Sequence, residues 1–300
     1  MNNLIKHNKK VYRDIHLKFK EDTIKRVSSA IKLSDIENTK LKKKIIAIDI
    51  CCGALGLGAI NLIKLGIKDI HLFDSNKKNV LSSKKNIEKK FNDKNIKITT
   101  QYGNLENFKF KKNYFDILLC QGALHHIEKD TKSLKNIYQS AKKNSIFLLT
   151  VQGKGGLITD ITYDVLSKNY HKDKKTKLFF DSLFDKNSKL EKYINFLMKN
   201  TNKEGSKFLR LVLKLADDDF MQTLEDRIKS KRYYQYTFNE IKGKLTKVGF
   251  KKIKKIKKLS PFKYKSLRQI FNSVYMHKNT FLSHILFGKD SSHINIRCYK

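Results

Sequence analysis

Apolar and polar positions follow two rhythms along this chain. Between residues 45 and 152, short apolar runs alternate with amphipathic stretches. The run Ile45-Ile46-Ala47-Ile48-Asp49-Ile50 predicts a buried strand. Residues 70–73, 96–100, 115–120 and 146–151 predict four more, each short and rich in Ile, Leu or Phe. Three helices fall between them. Residues 57–65 form a short one. Residues 76–91 form a lysine-coated one with Val80, Leu81 and Ile87 facing inward, and residues 131–142 gather Leu134, Ile137, Tyr138 and Ala141 on one face. Strands that alternate with helices predict a parallel sheet covered on both faces.

The rhythm changes after Gly153-Lys154-Gly155-Gly156. From there to residue 232 the spacing is helical only, as in Leu190, Tyr193, Ile194 and Leu197, or Phe208, Leu211, Val212 and Leu215. Asp217-Asp218-Asp219 reads as a helix start, because acids favour the positive end of the helix dipole. Thr237 and Glu240 then form a capping-box pattern for a helix over 238–248, ended by Gly249. Residues 250–256 predict a sixth strand, 259–290 a mainly helical stretch, and 293–299 a last strand. The chain therefore divides into an N-terminal helical segment (1–40), an α/β core (41–156), a helical insertion (157–232) and a C-terminal part (233–300) that completes the sheet with a helical excursion.

Composition changes this picture little. The 300 residues carry 65 basic and 28 acidic side chains, a formal charge of +37. Such a charge suits nucleic acid, yet only seven of the basic residues are arginine, the side chain best shaped for phosphate and base recognition. With a single proline and an abundance of Lys, Asn and Ile, the excess reads mainly as compositional bias. No apolar run reaches the roughly 18 residues of a membrane span, and the first residues carry no signal-peptide core. Cys51, Cys52, Cys120 and Cys298 have neither metal-site spacing nor a disulfide framework. A cytoplasmic protein with reduced thiols and no bound metal is the expectation.

The chemistry gathers behind the predicted strands. Asp49-Ile50-Cys51-Cys52-Gly53-Ala54-Leu55-Gly56-Leu57-Gly58 leaves a strand and opens a helix, where small residues let a ligand approach the backbone. Its glycine order is neither the GxGxxG of dinucleotide oxidoreductases nor a phosphate loop. Asp74, followed by Ser75, ends the second strand, where a carboxylate can accept ribose hydroxyls. Asn104 and Leu105 follow the third strand. Gln121, Gly122, Ala123 and the run Leu124-His125-His126-Ile127 follow the fourth. Ligands of open α/β sheets bind beyond the carboxyl ends of the strands, so these four segments would line one crevice.

In this order the motifs resemble the class I, Rossmann-like, S-adenosylmethionine-dependent methyltransferases, in particular the type 11 and 12 branch. The segment from Tyr236-Thr237 to Gly249-Phe250 is similar to the helix and strand that follow helical insertions in that family. The resemblance implies a Rossmann-like, mostly parallel sheet with helices on both faces and an antiparallel last strand. It implies S-adenosylmethionine as cofactor. Asp49, Cys51, Gly53 and Gly56 would shape the pocket around its methionine part. Asp74 and Ser75 would hold the ribose, Asn104 and Leu105 the adenine, and Gln121 would flank the methyl group. Cys51 and Leu55 stand where the family usually has glycines. Asn104 replaces the commoner Asp, keeping an acceptor without the charge. Lys143-Asn144-Ser145 replaces the usual Pro-Gly turn.

Methyl transfer from a sulfonium is an in-line displacement, so the protein mainly aligns the acceptor and excludes water. His125 and His126 are the candidate bases for an acceptor that must lose a proton. Tyr163, Asp164, Tyr233 and Tyr234 flank the insertion and could face that acceptor. The Asn/Asp-Pro-Pro-aromatic signature of base-amine methylation is missing after the fourth strand, and a helical cover suits a small molecule. The expected activity is methylation of a small-molecule acceptor. RNA, drawn by the basic surface, is the alternative acceptor, and a catalytically silent cofactor-binding protein is the alternative to an enzyme.

Overall fold

The computed structural model describes residues 44–156, 160–184, 225–231, 234–256 and 293–300, with 199 and 202–204 as isolated pieces. The expected N-terminal helical segment, the helical faces at 190–197 and 208–215, the run Asp217–Asp219, Tyr233 and the stretch 259–290 lie outside the described residues.

All seven expected strands form: β1 (Ile46–Ile50), β2 (Asp69–Asp74), β3 (Lys97–Tyr102), β4 (Phe115–Gln121), β5 (Ala141–Gln152), β6 (Lys251–Lys255) and β7 (His293–Tyr299). They build one sheet in the order β3-β2-β1-β4-β5-β7-β6. The first five pair in parallel, while β7 runs antiparallel to both β5 and β6. The direction of winding reverses between β1 and β4, which opens a crevice at their carboxyl ends.

Side chains of β1 explain the continuous apolar run. Ile48 and Ile50 enter one core with Phe73, Phe115 and Phe147, while Ala47 enters the other with Leu62, Ile70 and Leu72. A strand buried on both faces needs no polar alternation. Helices α1 (Leu57–Lys64), α2 (Lys77–Lys90) and α3 (Asp130–Ser140) connect the parallel strands. Beyond β5, a π-helical stretch (Ile161–Ser167) runs into α4 (Lys168–Lys172), followed by α5 (Lys174–Phe184) and α6 (Phe238–Val248). The described part of the insertion is thus helical. Thr237 and Glu240 complete the capping box of α6, and Gly249 ends it at φ 117°, with no room for a Cβ against the Tyr138 ring.

One boundary differs from expectation. Helix α3 stops at Ser140 and β5 begins at Ala141, five residues before its apolar run. Ala141 pairs with Phe115, and the ladder then shifts so that Ile146 meets Ile117. The residues between them bulge out, with Asn144 at φ 63°. Among the described residues no helix is long and apolar enough to cross a membrane.

Candidate functional site

Asp49, near the end of β1, is buried, and its Oδ2 accepts the Ala59 N–H at 2.9 Å. Ala59 lies in the first turn of α1, so this carboxylate caps a free amide of that helix from a distance in sequence. Gly58 is the reason it fits, since a Cβ there would stand 2.7 Å from both carboxylate oxygens. Burial raises the Asp49 carboxyl to about 7; the Ala59 amide pulls it back part-way and the nearby Asp74 charge adds to the rise.

The turn between β1 and α1 is left-handed at three points: Cys51 (φ 59°), Gly53 (φ 64°) and Gly56 (φ 62°). Leu55 keeps negative φ, so its backbone carries no such strain. The strain of replacing a glycine falls instead on Cys51. The Cys51 thiol lies against that of Cys120, which together with burial pushes it well above the usual range. Three polar side chains of α2 brace this turn. Ser83 Oγ donates to the Gly53 carbonyl at 2.5 Å and Asn86 Nδ2 to the Leu55 carbonyl at 2.8 Å. Asn79 Nδ2 reaches Asp74 at 3.3 Å.

Asp74 is buried at the end of β2. Its Oδ2 accepts the Gly53 N–H at 3.1 Å, and its Oδ1 accepts the Asn76 N–H at 2.8 Å. The glycine turn and the strand-two acid are therefore joined directly, with Ser75 half-buried beside them. Asn104 forms a local turn in which its Oδ1 accepts the Glu106 N–H at 3.0 Å. The Leu105 side chain packs into the core with Phe73 and Phe110, and its carbonyl accepts from Asn136 Nδ2 at 2.8 Å. Gln121 is half-buried at the end of β4, beside Gly122 (φ 70°), where an added Cβ would meet nothing within 4 Å.

The two histidines sit on a single 3-10 turn, Leu124–His126, with ring centres 4.0 Å apart. The turn sets side by side rings that a strand would send to opposite faces. His125 is 2% exposed, and its Nδ1 accepts the Gln152 N–H at 3.2 Å. An accepting Nδ1 leaves the ring proton on Nε2. Burial, helped by the charges of His126, His293 and Arg227, holds its pKa well below the usual value. At neutral pH His125 is thus a hydrogen-bond donor, and its geometry does not suit a base. His126 is half-buried. Among the described residues no cluster of His, Cys, Asp or Glu could hold a metal ion.

The segment that follows the insertion docks on this crevice. Tyr234 N–H donates to the His125 carbonyl at 2.9 Å, and Tyr236 N–H to the Gln152 carbonyl at 2.9 Å. Tyr163 is buried, whereas Asp164 is exposed and paired with Lys168. Tyr234 remains largely exposed. The bracing residues Asn79, Ser83 and Asn86 were not foreseen. Their signal is polar side chains at helical spacing beside the inward Val80 and Ile87.

Residues 48–149 match a protein-family model described as a methyltransferase domain. That span runs from within β1 to within β5 and contains every crevice residue named above before Gln152. A comparison with curated proteins gives no match. Among solved structures, the chain is similar to one in the complex of the Haloferax volcanii Trm112 methyltransferase activator with a methyltransferase. The identity is 9%, the coverage 92% of this chain and 90% of that one, and the TM-score 0.52. YcgJ from Bacillus subtilis aligns at 14% identity over 91% of this chain and 97% of that one, with a TM-score of 0.49. The phosphoethanolamine N-methyltransferase 2 of Haemonchus contortus, solved with phosphomonomethylethanolamine and S-adenosylhomocysteine, aligns at 15% identity. It covers 90% of this chain and 51% of that one, with a TM-score of 0.47. By the family model and the order of its sheet, this chain carries a class I, Rossmann-like, S-adenosylmethionine-dependent methyltransferase domain.

Proposed function

We propose that the protein methylates a small-molecule acceptor held between the carboxyl ends of the strands and the helical insertion. The observation that carries this is the seating of residues 234–236, which follow the insertion, on His125 and Gln152 beyond β4 and at the end of β5. A cover over the strand ends suits a compact acceptor and would keep water from the reacting atoms.

The crevice suits the cofactor. Left-handed glycines keep side chains off the turn, the Asp74 carboxylate is fixed beside it through the Gly53 N–H, and the space beside Gly122 lies next to Gln121. S-adenosylmethionine, when bound, supplies a methyl carbon already activated by its sulfonium. Asp49, Cys51, Gly53 and Gly56 shape the surface for the methionine part. Asp74 and Ser75 hold the ribose, the Asn104–Leu105 turn borders the adenine, and Gln121 flanks the methyl group. His126 is the base for an acceptor that must lose a proton.

The test is a metabolite extract incubated with labelled methyl donor, followed by fractionation. A labelled small molecule is expected with the wild-type chain. His126→Ala should lower its yield by about a hundredfold if proton removal is part of the reaction. Label that appears only in RNA or protein would refute the small-molecule assignment.

A further inference from the structure

Of the four cysteines, Cys51 alone is half-buried, and it lies within the glycine turn; Cys52, Cys120 and Cys298 are buried. Ile50 pairs with Cys120 across β1 and β4, and both side chains enter the same core. Side chains alternate along a strand, so an extended residue 51 would face the opposite core. The left-handed backbone at Cys51, φ 59°, reverses the alternation. Cys51 packs against the core that contains Cys120, and Cys52 enters the other one. A backbone position that costs a non-glycine residue energy thus brings the two sulfurs to one face, where the thiols lie side by side.

The backbone spacing suits a bond between them. Cys52 N–H still donates to the Phe73 carbonyl at 3.1 Å, so the chain stays alongside β2 through residue 52. Strands about 4.8 Å apart with a rise of about 3.3 Å per residue put the Cys51 and Cys120 Cα atoms about 6 Å apart, within the span of a disulfide. Cys51 stands between Asp49 and Gly53, and Cys120 precedes Gln121. A bond between the sulfurs would tie the glycine turn to the end of β4.

We propose that Cys51 and Cys120 form a reversible oxidation site, closing to a disulfide that draws the glycine turn toward β4 and weakens cofactor binding. The proposal rests on the methyltransferase reading above for its cofactor and adds a redox control to that crevice. The oxidant is a peroxide. Hydrogen peroxide converts the Cys51 thiol to a sulfenic acid and is itself reduced to water. The Cys120 sulfur then attacks the sulfenic sulfur, and the hydroxyl departs with the Cys120 proton as a second water. Two thiols are oxidised and one peroxide is reduced. A dithiol reverses the bond by exchange. The Cys120 thiol and burial keep the Cys51 thiol protonated, and Asp74 and Cys52 add to this, so closure is slow at neutral pH and quickens as pH rises.

The test treats the full chain with hydrogen peroxide at mildly alkaline pH and blocks the remaining thiols with N-ethylmaleimide. Unreduced peptides are then mapped by mass spectrometry, with fragmentation to tell Cys51 from Cys52. A Cys51–Cys120 link is expected. In calorimetric titration, S-adenosylhomocysteine should bind the oxidised chain about tenfold or more weakly than the reduced one, with recovery in dithiothreitol. Present beforehand at about ten times its Kd, it should slow closure about tenfold. Reduced Cys120→Ala should bind S-adenosylhomocysteine within about twofold of wild type and keep that affinity through peroxide treatment. Should Cys120→Ala fail to fold, Cys120→Ser decides by the same comparison. No Cys51–Cys120 link, a link through Cys52 or Cys298, or full affinity in the oxidised wild type would each overturn the proposal. So would closure unslowed by the ligand. An equal loss of affinity in oxidised Cys120→Ala would overturn it too, since oxidation of Cys51 alone would then account for the effect. A reduced wild-type chain that does not bind S-adenosylhomocysteine would sink the methyltransferase reading and with it the cofactor control, while the peptide map decides the disulfide separately.

Discussion

Two left-handed residues of the glycine turn are held in different ways. At Gly56 the backbone has φ 62°, and a Cβ would come 3.1 Å from Ser83 Cβ and 3.3 Å from Ile87 Cδ1. Gly56→Ala should cost about 1–2 kcal/mol for the left-handed backbone alone, seen as a fall in Tm of roughly 2–6 °C. Cys51 already bears that backbone cost, so Cys51→Gly should leave stability within about 1 kcal/mol of wild type. Asp49 gives a prediction in pH. Its carboxyl titrates at about 7 in the folded protein against 3.8 as its reference, chiefly because it is buried. The folded state holds that proton more tightly, so its contribution to stability is complete below pH 3.8 and is lost as pH rises through about 7. His125 has the opposite sign: its folded pKa is lowered, so its contribution is present above about 6.5 and lost on acidification. The two slopes run in opposite directions below neutrality, and because His125 is common to wild type and an Asp49 variant, their difference reports Asp49 alone. Urea denaturation at pH 5, 6 and 7 should find Asp49→Asn gaining on wild type as pH rises, by about 1 kcal/mol per pH unit. Parallel curves would contradict the assignment.

Elements are held by contacts far apart in sequence. Asp130, at the start of α3, accepts the Tyr236 hydroxyl at 2.6 Å and Lys244 Nζ at 2.7 Å, clamping α3 to α6 and to the segment that leads into it. Burial alone would raise its carboxyl, but Lys244 and Tyr236 hold it below the usual range. Asp130→Ala should cost about 1–3 kcal/mol, measured by urea denaturation, because Lys244 is partly exposed and regains water. Such pairings leave no periodic trace, which is why the sequence alone did not reveal them. The strands did, because β1, β4 and β5 are buried on both faces and read as unbroken apolar runs. The start of β5 did not, because Ala141 fits the apolar face of the helix before it and residues 142–145 bulge from the ladder without apolar side chains. The crevice was legible in its glycines and acids. Its braces were not: Ser83 and Asn86 act through single hydrogen bonds to carbonyls that no spacing rule singles out.

For the whole molecule, the charge of +37 is a background against which the site works. Lysines coat α2 and β6, while Gly53, Asp74, Gln121 and His125 gather at one end of the sheet. Self-repulsion at that charge should be relieved by salt, so Tm should rise between about 0.05 and 0.5 M salt, opposite to the trend for a fold held by surface ion pairs. Binding of RNA, if driven by those lysines alone, should collapse steeply over the same range without sequence preference. The central claim is the joined site of glycine turn and Asp74, and calorimetric titration with S-adenosylhomocysteine tests it most directly. The account predicts one molecule bound per chain, with affinity reduced about tenfold or more in Asp74→Ala. No binding to the wild-type chain, or equal binding by Asp74→Ala, would contradict it.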